Sequence, residues 1–197
     1  MGNEAEDMTA FRSDLRAWIE ANCPEEMRDG GGGDDGKTCW GGRTWTFESD
    51  AQKDWLDRCA RKGLTVPTWP KEYGGAGFTR AQEKVWLSEL ARIDARLPLQ
   101  SFGIWMLGPA LLHFGTHEQK SFFLPPIARG EIRWCQGYSE PGAGSDLASV
   151  QTKCEDKGDH WLVNGQKIWT SYADKADAIF ALVRTDRDAP KHKGITF

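Results

Sequence analysis

Residues 132–149 read "IRWCQGYSEPGAGSDLAS". The opening "IRWCQG" has the composition of a strand. The stretch that follows, Tyr138–Ser149, holds two glycines, a proline, three serines and two acids. A plain connection needs only a handful of residues. So much small, polar, turn-forming material suits a loop that wraps its backbone around a ligand, because glycine lets the main chain approach closely and serine supplies hydroxyl donors.

On the N-terminal side of this stretch the chain reads as helix. Met8, Phe11, Leu15, Trp18 and Ile19 recur at helical spacing, and Pro24 ends the run. Residues 27–46 are glycine-rich and irregular. A second helix is predicted from Ser49, with Gln52 completing a capping box, Ala51, Trp55, Leu56 and Cys59 buried, and Gly63 as its stop. Thr79 and Gln82 repeat that start before "EKVWLSELARI". Phe102–Phe114 is mostly apolar and ends at Gly115. Thr116 and Gln119 then cap a short helix that runs into Pro125 and Pro126.

On the C-terminal side the pattern changes. "SVQTKCE", "HWLVN", "QKIWTS" and "DAIFALVRT" are strand-length runs rich in β-branched and aromatic residues, and "DKGD" between the first two signals a hairpin. Helices first and antiparallel strands after predict an α+β chain, with a helical domain over 1–130 and a β domain over 131–197. The closing "KGITF" reads as the opening of another strand without a visible continuation, so the chain is expected to be truncated.

Composition narrows the function classes. With 39% hydrophobic and 27% charged residues, the 197-residue chain has the make-up of a soluble globular protein, in one domain or two small ones. No apolar run approaches the ~20 residues of a bilayer span. The acidic start "MGNEAEDMTAF" lacks the features of a secretory or mitochondrial leader, and Glu6 breaks the myristoylation pattern. A net charge of −4 removes the electrostatic basis for nonspecific nucleic-acid binding. Five scattered cysteines without a CxxC pair point to reduced thiols, and the expected location is cytoplasmic. Ten tryptophans are expected to be mainly core or interface anchors, with one or two facing a flat ligand.

Two further patterns are set aside on context. Gly31–Thr38, "GGGDDGKT", satisfies the phosphate-binding P-loop expression, but that motif works only between a strand and a helix. "CPEEMRD" before it is no buried strand, "CWGGRTW" after it makes a poor helix, and Asp34 and Asp35 would repel phosphate. His113 and His117 stand four apart, a spacing that can bind metal from one helix face. Gly115 breaks that face and no third ligand is near, so no metal site is predicted.

The loop Tyr138–Ser149 and "NGQKIWTS", Asn164–Ser171, remain. Asn-Gly is a turn signal, and Trp169, Thr170 and Ser171 offer a stacking face beside two hydroxyls. Together with "VPTWPKEYGGAG" (Val66–Gly77) and "FGTHEQKSFFLPPIARGE" (Phe114–Glu131), this pair closely resembles the acyl-CoA dehydrogenases, which are FAD-dependent flavoenzymes. The resemblance covers nearly the whole chain. It implies a helical N-terminal domain, a middle antiparallel β-barrel that is incomplete here, and a C-terminal four-helix bundle absent from this sequence.

By the same resemblance, the loop Gln136–Ser145 contacts FAD through backbone N–H groups and the Ser139 hydroxyl. The cofactor-binding set implied is Gln136, Tyr138, Ser139, Gly144, Ser145, Trp169, Thr170 and Ser171. Ser145 also lies toward the CoA pyrophosphate of an acyl-CoA substrate, Trp169 flanks the isoalloxazine ring and Ser171 approaches N5. Many relatives carry threonine where this chain has Ser139 and Ser171, and serine keeps the hydroxyl.

The implied reaction is α,β-dehydrogenation of an acyl thioester, with a carboxylate removing the α-proton and the β-hydrogen leaving as hydride to the flavin. No catalytic residue is nominated, since the family's base lies in the region not represented. Residues 1–197 alone are therefore expected not to turn over substrate. The implied partners are an electron-transfer flavoprotein or similar acceptor and other subunits of a homo- or hetero-oligomer. Two alternatives stay open: a non-catalytic fragment or subunit that binds flavin or a partner chain, and a sibling oxidase or acyl-carrier-protein dehydrogenase.

Overall fold

The computed structural model describes residues 2–30 and 37–197. Two compact units are present, Met1–Ile132 and Arg133–Phe197. The first is helical: α1 (Gly2–Asn22), α2 (Asp50–Lys62), α3 (Arg80–Arg92), a single π-helical turn at Gly103–Leu107, α4 (Gly108–Phe114) and α5 (His117–Ala128). Among the described residues no helix is long and apolar enough to cross a membrane.

The helix starts follow local capping chemistry. Thr79 and Thr116 each accept the amide of the residue three further on at 3.2 Å, and Gln82 and Gln119 return a side-chain oxygen to the cap amide at 2.9 Å. The box expected at α2 forms only by half. Ser49 accepts from the Gln52 amide, but Gln52 Oε1 takes the Glu48 amide instead, because its Nε2 is held by the Lys37 carbonyl at 3.0 Å. Gly63 stops α2 in the left-handed conformation at φ 75°, where a Cβ would meet the Gly75 backbone at 2.4 Å.

Helix α5 does not stop at the prolines but runs through Pro125 and Pro126 to Ala128. Leu124 and Ile127 are fully buried, so the last turn is held by packing, and the Arg129 amide donates to the Pro125 carbonyl at 3.1 Å. Proline costs a helix one N–H, but tertiary burial outweighs that loss here.

The core of this unit gathers Leu15 and Ile19 from α1, Trp55 and Cys59 from α2, and Val85, Trp86 and Leu90 from α3. Each such side chain contributes roughly 1.5–3 kcal/mol by leaving water. The Trp55 and Trp86 rings lie 6.3 Å apart, and the Trp55 indole N–H donates to the Arg96 carbonyl at 2.9 Å. Across α1 and α3, buried Glu89 accepts from Arg12, Arg16 and Arg92 at 2.7–3.1 Å.

The second unit holds β1 (Trp134–Gly137), β2 (Lys153–Asp156), β3 (Trp161–Asn164), β4 (Ala178–Ala181), β5 (Val183–Arg184) and β6 (Ile195–Thr196). The "DKGD" hairpin forms as expected, with β2 and β3 antiparallel and Cys154 opposite Val163. "KGITF" supplies β6, antiparallel to β5.

The expected antiparallel barrel is corrected. Among the described residues there is no closed barrel but a parallel pair β1–β4 and a mixed sheet in the order β3-β2-β5-β6, in which β2 and β5 run parallel. Turn signals report only neighbours in sequence. β1 and β4 are joined by a connection containing the whole β2–β3 hairpin, long enough to return the chain in the same direction. "DAIFALVRT" likewise divides at Leu182 into β4 and β5, which serve different sheets. "QKIWTS" forms no strand at all.

Candidate functional site

Strand β1 delivers the chain into the glycine-serine loop. Gln136 sits in β1 opposite Phe180 of β4, and the half-buried Tyr138 ring packs edge-on against Phe180 and Phe197, with centroids 5.9 and 6.5 Å away. Burial pushes the Tyr138 phenol up, partly offset by a hydrogen bond with the Gln136 side chain. Next, Glu140 and Ala143 exchange two main-chain hydrogen bonds of 3.0 Å, folding Pro141–Gly142 into a tight turn. Beyond it, Gly144 and Ser145 are exposed. A Cβ built on Gly142 or Gly144 would have no heavy atom within 4 Å, so the loop borders open space.

The second segment meets the first at Ser139, whose carbonyl accepts the Ile168 amide at 2.9 Å. One residue on, Trp169 adopts φ 56° and leaves its side chain 86% exposed. Tyr172 is also left-handed, at φ 62°, beneath the Arg133 guanidinium 5.1 Å from its ring. Bulky residues in this region cost of order 1–3 kcal/mol each and persist only where surrounding contacts enforce them. The left-handed turn at Trp169 is why "QKIWTS" is not a strand: it points an indole into solvent, where a core tryptophan would not go.

Two residues that sequence reasoning did not nominate hold this junction together. Lys167 Nζ donates to the Tyr138 carbonyl at 3.2 Å, to Glu140 Oε1 at 2.8 Å and to the Leu182 carbonyl at 2.6 Å. The Glu140 carboxylate also accepts the amides of Gln151 and Thr152 at 2.6 and 2.9 Å. Burial alone would raise the Glu140 carboxyl, but Lys167 and the two amides outweigh it and bring it to about 2. The signal was one of two acids in one motif and a lone lysine in the other, 27 residues apart. Only the fold supplies their contact.

Of the predicted residues, the structure brings Ser139 and the start of the Trp169–Ser171 segment to one junction, with Gln136 on the strand leading to it and Tyr138 just past that strand's end. Gly144 and Ser145 lie on the exposed part of the loop, and no hydrogen bond among the described residues ties them to Trp169, Thr170 or Ser171. Beside the loop, a hollow of about 400 Å³ is lined by Ser149, Gln151, Arg184, Arg187 and Lys191.

The other patterns resolve differently. Gly31–Gly36 of the P-loop match lie outside the described residues. Lys37 is ion-paired to Asp29 at 3.0 Å, and no helix follows before α2. His117 Nδ1 lies 3.4 Å from the Tyr73 hydroxyl, and the His113 ring meets Phe114 edge-on.

Comparison with known proteins decides what this junction belongs to. The acyl-CoA dehydrogenase N-terminal domain profile matches residues 42–131 and the acyl-CoA dehydrogenase middle domain profile matches residues 135–197. The chain belongs to the acyl-CoA dehydrogenase family. Acyl-CoA dehydrogenase IpdE1 of Mycobacterium tuberculosis is 42% identical over 194 residues, 98% of this chain and 48% of that protein. The Mycolicibacterium smegmatis protein of the same name is 37% identical, over 97% of this chain and 50% of its own length. Among solved structures, the ChsE4–ChsE5 complex of M. tuberculosis has a TM-score of 0.64 at 34% identity, covering 96% of this chain and 45% of the other. The Tcur3481–Tcur3483 steroid acyl-CoA dehydrogenase has a TM-score of 0.65 at 36% identity, covering 96% and 46%. The chain thus spans about half the length of the relatives it matches.

Members of this family are FAD-dependent flavoproteins. The residues present fit such a group: an indole standing in solvent on a strained backbone, a neighbouring serine fixed by its carbonyl, and glycines bordering open space. An apolar aromatic face and hydroxyl donors side by side match a ring system with polar edges.

Proposed function

We propose that this chain provides the flavin- and substrate-binding part of an enzyme that carries out α,β-dehydrogenation of an acyl-CoA thioester. The helical domain is residues 1–130 and the β domain residues 131–197. The observation that carries the reading is the bond from the Ile168 amide to the Ser139 carbonyl, which joins the two motif segments and sets Trp169 beside the loop. FAD, when bound, supplies the acceptor for the hydrogen and electron pair lost from the β-carbon.

The chain's own residues bind and orient. Trp169 offers its exposed face to the ring system, with Thr170 and Ser171 following as hydroxyl donors. Ser139, Gln136, Tyr138 and Gly144 form the loop side of the cofactor site. Ser145 serves both cofactor and substrate. The hollow beside that loop offers Arg187 to a phosphate-bearing substrate such as a CoA ester, while Arg184 is engaged by the Ala148, Val150 and Lys191 carbonyls and Lys191 by Asp146. Glu140 is not the proton-abstracting base: its carboxylate is buried, engaged on both oxygens and too acidic to hold a proton near neutrality.

Likeness to a steroid acyl-CoA dehydrogenase favours a bulky, polycyclic acyl group. Likeness to two-chain complexes favours hetero-oligomeric assembly, and likeness to a structure described as an electron transferring flavoprotein is in keeping with such a protein, or a similar one, as the electron acceptor. Five free, buried cysteines agree with a cytoplasmic setting.

The test is Trp169→Ala, followed by FAD titration and absorption spectroscopy. Loss of a stacked aromatic should weaken FAD binding by roughly ten-fold and shift the flavin band. Unchanged affinity and an unchanged band would remove Trp169 from the cofactor site.

A further inference from the structure

We infer that Lys167 is a positioning residue for the cofactor site: acting with Glu140, it holds the loop at Tyr138–Glu140 and the turn at Ile168–Trp169 in one fixed relation. The inference rests on the flavin reading above for its consequence, but its geometry stands independently.

One ammonium group joins three separate pieces of chain: the loop at Tyr138–Glu140, Leu182 after β4, and its own segment. It is 12% exposed and donates to the end of β1 through the Tyr138 carbonyl, to the loop through Glu140, and to the end of β4 through the Leu182 carbonyl, from its own place after Asn164–Gly165. An ammonium has three protons, and all three are spent. Glu140 extends the reach with two backbone amides at Gln151 and Thr152, where the loop re-enters β2. The next residue, Ile168, makes the bond to Ser139, and the one after is left-handed Trp169.

No strand or helix runs through 165–171, so regular backbone pairing cannot impose the Trp169 conformation. The buried pair is the feature that can. Its side chains are 12% and 7% exposed, which makes removal of one partner far more damaging than loss of a surface pair. Lys167 touches neither reacting atoms nor, in this reading, the flavin. Its effect passes through the main chain of Ser139 and Trp169.

The experiment compares Lys167→Met, Lys167→Arg, Glu140→Gln and the double variant Lys167→Met/Glu140→Gln in the full chain. It uses two readouts: amide hydrogen exchange without ligand, and FAD titration. In Lys167→Met, exchange at Ile168, Gln151 and Thr152 should accelerate roughly 10- to 100-fold, while amides of the helical unit stay unchanged. FAD affinity should fall by a similar factor. The double variant should recover part of both, since no buried charge is left alone, and Lys167→Arg should recover more by keeping the cation.

Unchanged exchange at those three amides in Lys167→Met would overturn the inference. Accelerated exchange with no FAD binding even by the unaltered chain would uphold the clamp and sink the flavin reading. Should Lys167→Met fail to fold, the same amides are read in Glu140→Gln, where unchanged exchange again overturns the inference.

Discussion

Among the described residues the two units each bury one glutamate, and the two carboxylates are used in opposite ways. In the helical unit Glu89 is 1% exposed and faces three arginines, which are themselves 35–45% exposed. In the β unit Glu140 is 7% exposed and faces a single, buried lysine, with backbone amides as its other partners. Burial opposes ionisation at both. At Glu89 the hydrogen bond from Arg16 exceeds it, and at Glu140 the sum of several bonds does, leaving both carboxyls at about 2. The difference lies in redundancy. Glu89 fastens two helices that hydrophobic packing already holds, and any one arginine has two substitutes. Glu140 holds a loop with no ladder of its own, and Lys167 has no substitute.

The largest effect expected from this contrast is on stability. Glu89→Ala removes the carboxylate that gathers Arg12, Arg16 and Arg92 and leaves a gap beside the core, and it should cost about 2–3 kcal/mol, since the arginines left behind are 35–45% exposed and water can re-solvate them. Urea unfolding followed by tryptophan emission reads it, since Trp55 and Trp86 sit in the same core. FAD affinity should change little. An equal loss of flavin binding in Glu89→Ala and Glu140→Ala would dissolve the distinction between fastener and positioning group.

The same contrast marks what the sequence could disclose. Ser49, Thr79 and Thr116 announced helix starts because a cap acts within one turn, and Gly63 announced a stop for the same reason. The site motifs at Tyr138–Ser149 and Asn164–Ser171 were visible as composition. What stayed hidden was every contact set by the fold over long separations: the parallel register of Trp134 against Ala178, the bond of Lys167 to Glu140, and the packing that carries α5 past Pro125. Trp169 was misread for a local reason. Its neighbours have strand propensity, while the structure places both Trp169 and Tyr172 in the left-handed region, a feature that no local sequence signal carried.

A smaller effect, and one that separates the units by pH, follows from the two low carboxyls. Each titrates near 2 when folded against 4.5 when free, so the unfolded chain binds protons first as the pH falls. The stabilisation is whole above about pH 4.5 and is lost progressively toward pH 2. Glu89→Gln should flatten that decline for the helical unit, and Glu140→Gln should flatten it for the β unit alone. Urea melts at pH 5, 4 and 3 (conditions of about this spacing suffice), read by far-UV circular dichroism and by exchange at Gln151 and Thr152, check both. A decline that persists in both variants would assign the acid sensitivity to other carboxylates.

The smallest effect concerns a device with no long-range reach. Thr79 Oγ1 accepts the Gln82 amide and Gln82 Oε1 accepts the Thr79 amide, at 3.2 and 2.9 Å on the exposed start of α3. Thr79→Ala removes the first bond and leaves the second, so the cost should be about 1 kcal/mol, as for capping residues generally. Water can take over the freed amide at this exposed position, which keeps the loss below that at Glu89. Thr116→Ala should cost about as much, since α5 starts on the same reciprocal pair. Ser49→Ala should cost less, because the one cap bond it loses, of 3.3 Å, is not reinforced by a returning bond from Gln52, whose side chain has turned to the Glu48 amide. Thermal unfolding of the three variants gives the order directly. A Ser49→Ala loss equal to or larger than that of Thr79→Ala would show that the half-formed box at α2 is as strong as a complete one, and that reciprocity adds nothing at these helix starts.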